Sequence, residues 1–155
     1  MVSVGKRVEN FKLPATGDQS LSLSDFNGRN LIIYFYPKDN TPGCTREGQD
    51  FRDLYSQFAA ANADILGVSR DSVRTHGNFR AKHEFPFHLL SDKDEALCKQ
   101  FDVIHEKKLY GRKYMGIVRS TFLIDAEGIL RQEWRKVRVP DHAQGVLDAL
   151  LALDQ

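Results

Sequence analysis

The sequence predicts an α/β fold: a mixed central sheet with helices on both faces and a β-hairpin near the N-terminus. Three observations carry this reading. Strand-like and helix-like patterns alternate along the chain, which implies βαβ units. The run Asn30 to Tyr36 is continuously β-branched, aromatic and apolar, as in a strand covered on both faces. Two further pairs of short segments are joined by turn residues and read as hairpins.

Taken in order, Asn10 to Ala15 and Ser20 to Leu23 alternate apolar and polar residues around Gly17 and Asp18, and form the first hairpin. Asn30 to Pro37 is the central strand. Beyond the turn Lys38 to Gly43, the residues Phe51, Leu54, Tyr55 and Phe58 recur at helical spacing and define an amphipathic helix. A strand over Asp64 to Arg70, a weaker helix over Ser72 to Lys82, a strand over Phe87 to Leu90 and a helix over Asp94 to Phe101 continue the alternation. Ser120 to Ile124, the turn Asp125 to Gly128 and Ile129 to Trp134 make the second hairpin. A last helix opens at Pro140 and Asp141, with Val146, Leu147, Leu150 and Leu151 directed inward. No repeat and no linker-like stretch interrupts the chain, so residues 1–155 read as a single domain.

The composition narrows the function. A net charge of +1, from 22 Lys and Arg against 21 Asp and Glu, provides no overall field for nucleic acid or an anionic membrane. No stretch approaches the ~18 apolar residues of a membrane span, and the N-terminal residues lack the apolar core of a secretory signal, so the expected location is cytoplasmic. Two cysteines, Cys44 and Cys98, are too few for a disulfide scaffold, and a reducing compartment keeps them as thiols.

Cys44 stands out because of where it falls. A buried strand ends at Pro37, Thr41 can cap a helix, and Pro42 suits its first position, where a missing N–H costs nothing. Cys44 then lies in the first turn, where unpaired N–H groups and the helix dipole favour the thiolate over the thiol. The Thr41 hydroxyl can donate to that sulfur or to a substrate oxygen, and Gly43 permits close approach of the backbone. Position alone leaves open that Cys44 is an inert, buried small residue.

The flanking residues resemble those of a known family. Pro37, Thr41 and Cys44 match the peroxidatic motif of peroxiredoxins, and the wording from Tyr34 to Thr45 is similar to the bacterioferritin comigratory protein, or peroxiredoxin Q, branch. The resemblance continues through Leu89 to Asp92, Glu106 to Lys108 with Gly111 and Gly116, and Arg119 to Asp125. It implies a thioredoxin-like fold and a cofactor-free peroxidase acting on hydrogen peroxide and organic hydroperoxides. It also implies roles: Cys44 as nucleophile, Thr41 as the peroxide-binding hydroxyl, Pro37 as a shield against water, Arg119 as the cation beside the thiolate and Glu47 as the acid orienting it.

The family pattern breaks at its second cysteine. Many members of this branch carry a resolving cysteine five residues after the first, and another subset carries it in the following helix; here Gln49 and Arg80 stand at those positions. Cys98, flanked by Leu97 and Phe101, reads as core-facing and is a weak resolving candidate. The expectation is therefore a monomeric one-cysteine enzyme, its sulfenic acid resolved by thioredoxin, glutaredoxin or glutathione. The rival is a redox sensor that passes Cys44 oxidation to a binding partner.

The remaining motifs are weak. His76, His83, His88, His105 and His142 show no zinc-like spacing, so no metal is expected. The basic run Glu106 to Lys113 reads as a solvated loop near the site. A phosphate-cradling loop and a Cys-x-x-Cys pair are both absent from the sequence.

Overall fold

The computed structural model describes residues 1–153. The first hairpin pairs β1 (Lys12–Ala15) with β2 (Gln19–Ser22). Its turn carries Gly17 and Asp18 in the left-handed region, at φ of 85° and 53°. β3 (Asn30–Phe35) leads to the long α1 (Pro42–Ala60), then β4 (Ala63–Ser69), α2 (Val73–His83), β5 (His88–Ser91) and the short α3 (Ala96–Gln100). β6 (Ile104–Leu109), β7 (Arg112–Ile117), β8 (Ser120–Ile124), β9 (Leu130–Arg135) and α4 (His142–Ala152) complete the order.

Seven strands form one sheet in the order β2-β1-β5-β4-β3-β8-β9. β3, β4 and β5 run parallel, joined through α1 and α2, whereas β8 lies antiparallel to β3 and β1 antiparallel to β5. The sheet is mixed, as expected. Every residue of β3 is buried, because alternate side chains feed two apolar layers. Leu31, Ile33 and Phe35 point into one layer with Leu97, Cys98, Phe101 and Phe122. Ile32, Tyr34 and Tyr36 point into the other, with Cys44, Phe51, Phe58, Phe79, Val146 and Leu147. Thus α1, α2 and α4 cover one face, and α3 lies on the opposite one.

Tyr34 stacks on Phe51 with ring centroids 4.8 Å apart, fixing α1 across the sheet. The helix comes unusually close to its neighbours at Gly48, where a Cβ would meet the Phe85 ring at 2.4 Å.

Three expectations need correction. The basic stretch Glu106 to Lys113 is not a loop: β6 and β7 pair over their whole length as a separate two-stranded hairpin. Leu109, Tyr110, Tyr114 and Met115 are all exposed on it, so no apolar alternation marks it in the sequence. Leu151 turns outward and is 47% exposed, while Val146, Leu147 and Leu150 are buried. The third helix is shorter than expected, because Glu95 before it is left-handed, at φ 62°, and cannot begin it.

Candidate active site

β3 ends at Phe35, and the loop Tyr36 to Thr41 carries the chain to the start of α1. Thr41 is extended at φ −83° and ψ 152°, and Pro42 takes the first helical position. Thr41 occupies the cap position without capping through its side chain. Its hydroxyl instead donates to the Lys38 carbonyl at 2.9 Å, so its proton is spent inside the loop rather than on sulfur. Cys44 follows in the first turn and is 1% exposed. Pro37, at the head of the loop, is half-buried.

Arg119 reaches this turn through strand register. Ser120 of β8 pairs with Phe35 of β3, so Arg119 lies beside the end of β3 where the loop departs. Its Nη2 donates to Cys44 Sγ at 3.3 Å, and its Nη1 to Glu47 Oε1 at 2.6 Å. Glu47, one turn beyond Cys44 on the same helix face, is buried. Gly43 is what admits the guanidinium, since a Cβ there would stand 3.2 Å from Nη2.

The electrostatics of this trio are coupled. Burial pushes the Glu47 carboxyl up to about 7, and the Arg119 charge pulls the other way. Burial works against the Arg119 cation, but Glu47 and Cys44 outweigh it and hold the guanidinium above its ordinary value. Only one carboxylate oxygen is engaged among the described residues: Glu47 Oε2 is buried with no hydrogen-bond partner there. A second cation is kept away on one side, because burial and the nearby Arg119 push His142 down to about 4. The neutral His142 shares a hydrogen bond with Thr121 Oγ1 at 2.8 Å. On another side Lys107 of β6 donates to the Ile117 carbonyl at 3.0 Å, and its ammonium is lowered by burial and by Arg119, with Cys44 acting in the opposite sense.

Cys44, Arg119, Glu47 and Gly43 are therefore brought together, while Thr41 stands at the cap position before this turn and Pro37 at the head of the loop that leads to it. Cys98 is not among them. It lies in the apolar layer on the opposite side of the sheet, and burial followed by the Asp92 carboxylate pushes its thiol well up. Gln49 lies 3.5 Å from His83 Nδ1, and Arg80 donates to the Phe87 carbonyl at 2.9 Å.

Sequence reasoning missed a buried cluster behind the loop. Asp39, Asp71 and His76 place ligand-type atoms within 4.8 Å of one another. These atoms are occupied by protein hydrogen bonds: Asp71 Oδ2 accepts from Ser69 Oγ and the Asp39 N–H, and Asp39 accepts from Tyr36 and His76. Asp71 and His76 are close in sequence, but Asp39 lies more than thirty residues before either, so no local motif announces the cluster.

Similarity to known proteins shows the family. Residues 4–133 match the AhpC/TSA family. A peroxiredoxin Bcp from Xanthomonas campestris is 56% identical over 144 residues, covering 92% of this chain and 90% of that protein. A solved structure of the Xanthomonas bacterioferritin comigratory protein, described for its alkyl peroxide reduction activity, superposes with a TM-score of 0.89 at 54% identity, covering 94% and 92% of the two chains. A cysteine-to-serine mutant of Xylella fastidiosa peroxiredoxin Q superposes with a TM-score of 0.95 at 46% identity, covering 100% and 99%. The Xanthomonas peroxiredoxin Q has been solved with either of two cysteines replaced by serine. The residue as far beyond Cys44 as the second of those lies beyond the first is Arg80. With a guanidinium set against a helix-start thiol on a thioredoxin-like sheet, the chain belongs to the AhpC/TSA family and, within it, to the bacterioferritin comigratory protein or peroxiredoxin Q branch of the thiol-dependent peroxidases.

Proposed function

We propose that this chain, as one domain spanning residues 1–155, is a one-cysteine peroxidase in which Cys44 reduces hydrogen peroxide and organic hydroperoxides and an external thiol restores it. The observation that carries the reading is the Arg119 fork, with one nitrogen 3.3 Å from Cys44 Sγ and the other 2.6 Å from buried Glu47.

The thiolate attacks the terminal peroxide oxygen. An S–O bond forms as the O–O bond breaks, Cys44 leaves as a sulfenic acid, and the departing alkoxide or hydroxide takes a proton from water. Arg119 and the free N–H groups of the first α1 turn face the oxygen on which charge develops. Thr41, its proton held by Lys38, offers lone pairs to the O–H of the incoming peroxide. Glu47 holds the guanidinium in plane, and Pro37 shields the sulfur from water. A thiol then attacks the sulfenic sulfur and releases water as a mixed disulfide forms, and a second thiol frees Cys44.

The position of Cys98 behind the sheet, with Gln49 and Arg80 at the usual partner positions, supports an external reductant such as thioredoxin, glutaredoxin or glutathione. A monomeric, cytoplasmic enzyme suits this chemistry; among the described residues no helix is long and apolar enough to cross a membrane. Continuous turnover of peroxide with each of the three thiols tests the reading. A protein that reacts once with peroxide and is not restored by any of them would instead be a sensor.

A further inference from the structure

The loop between Pro37 and Thr41 leads into the first turn of α1, which carries Cys44, yet among the described residues the side chains of its exposed members, Lys38 and Asn40, make no hydrogen bond. Asn40 is even left-handed, at φ 64°. One residue of the loop is different. Asp39 is buried, and its side chain is fully enclosed. Its Oδ1 accepts from the Tyr36 hydroxyl at 2.6 Å, and its Oδ2 from His76 Nδ1 at 2.7 Å. Its backbone N–H donates to Asp71 Oδ2 at 2.9 Å.

The histidine is tied down in turn. His76, on α2, is fully buried, and its Nε2 lies 2.9 Å from the Leu90 carbonyl of β5. Both ring nitrogens are thus engaged, Nδ1 by a carboxylate and Nε2 by a backbone carbonyl, which fixes the plane and position of the ring. Asp71 is fixed by Ser69 at the end of β4, which donates to its carboxylate, and by Ser91 at the end of β5, which donates to its carbonyl at 2.6 Å. The ends of β3, β4 and β5 and the first turns of α2 therefore converge on a single loop residue five positions before Cys44.

We infer that Asp39 and His76 form a buried hydrogen-bonded clamp that positions the Pro37–Thr41 loop for the peroxide reaction at Cys44, acting through the loop without touching the reacting atoms. This rests on the assignment of peroxide chemistry to Cys44. The sulfur and Arg119 are held by α1 and β8, whereas Thr41 and Pro37 depend on the loop. Loosening the clamp displaces the groups that receive the peroxide and leaves the thiolate and its guanidinium in place. Peroxide capture and intrinsic sulfur reactivity should then separate.

The experiment compares two second-order rates on the full chain: oxidation of Cys44 by hydrogen peroxide and its alkylation by iodoacetamide, which needs the thiolate but no oriented peroxide. In Asp39→Asn the peroxide rate should fall by roughly 10- to 100-fold, the range for displacement of a reacting partner by about 1 Å, while alkylation changes by less than about twofold. His76→Gln should show the same split, and the double variant should be no slower than the slower single one, because both remove one interaction. Tyr36→Phe, which deletes only the hydroxyl on Oδ1, should show a smaller split and serves if Asp39→Asn does not fold. Leu150→Ala, in the same apolar layer on α4, lowers Tm without altering the ratio of the two rates. A folded Asp39→Asn, or Tyr36→Phe in its place, whose peroxide rate is unchanged, or whose two rates fall together as Tm falls, would overturn the clamp. Hydrogen peroxide consumption by wild type and by Cys44→Ser, measured alongside, separates this result from a failure of the Cys44 assignment, which would leave the two equal.

Discussion

Arg119 Nη2 stands 3.3 Å from Cys44 Sγ although the two residues are separated by 75 positions in the chain. The contact exists because Ser120 pairs with Phe35, which sets Arg119 at the mouth of the loop that delivers Cys44. Removing the guanidinium takes away a cation aimed at both the thiolate and the leaving oxygen.

Arg119→Ala should slow Cys44 oxidation by about 10² to 10³, as for loss of one preorganised electrostatic donor. Arg119→Lys should recover only part of the rate, since an ammonium cannot hold Sγ and Glu47 in one planar fork. Stopped-flow oxidation with hydrogen peroxide measures both.

Glu47 links the site to pH. Its carboxyl is raised from 4.5 to about 7, so the folded protein favours the protonated form. Its contribution to stability is complete below about 4.5 and is lost as pH rises through about 7, when a carboxylate must be buried. The Tm of Glu47→Gln relative to wild type should therefore improve as pH is raised through this window. The same variant replaces a charge-assisted hydrogen bond by a neutral one, a difference of about 1 kcal/mol, and should slow peroxide reduction roughly fivefold above neutrality. A thermal-shift series from pH 4 to 9, paired with rates, measures both effects.

Gly43→Ala tests the close approach directly. The added methyl would meet Arg119 Nη2 at 3.2 Å, tighter than ordinary contact, and must push the guanidinium away from Sγ. A rate loss of roughly 3- to 10-fold with little change in Tm is expected, since a shift of well under 1 Å is enough to misalign a catalytic group.

Cys98→Ser separates structural from catalytic cysteine. A hydroxyl buried among Leu97, Phe101 and Val103 should lower stability by about 1–3 kcal/mol. Turnover with an added thiol should stay at the wild-type rate. Excess peroxide without thiol should carry Cys44 on to sulfinic acid in both proteins, because no second thiol shares its layer.

These residues also show what the sequence can reveal. Cys44 was legible because its signals are local: an apolar strand, a proline at the first helical position and a thiol within the first turn. Arg119 and Glu47 could be assigned only by resemblance, since their contact depends on the register of β8 against β3. The β6–β7 hairpin looks like a loop in sequence because Leu109, Tyr114 and Met115 are exposed on it, so burial imposes no alternation. Thr41 was placed correctly at the helix start, but the carbonyl that takes its proton is set by the loop geometry. The Asp39–His76 pair is invisible to any window of sequence, being formed by elements that meet only when β4 lies between β3 and β5.

The most direct test of the central claim is mass spectrometry of the wild-type chain after one equivalent of hydrogen peroxide, with peptide mapping and a parallel sample of Cys98→Ser. One added oxygen on Cys44 is expected in both proteins, converted to a mixed disulfide on addition of glutathione, with equal turnover. A Cys44–Cys98 disulfide forming at the rate of turnover, with activity lost in Cys98→Ser, would contradict it.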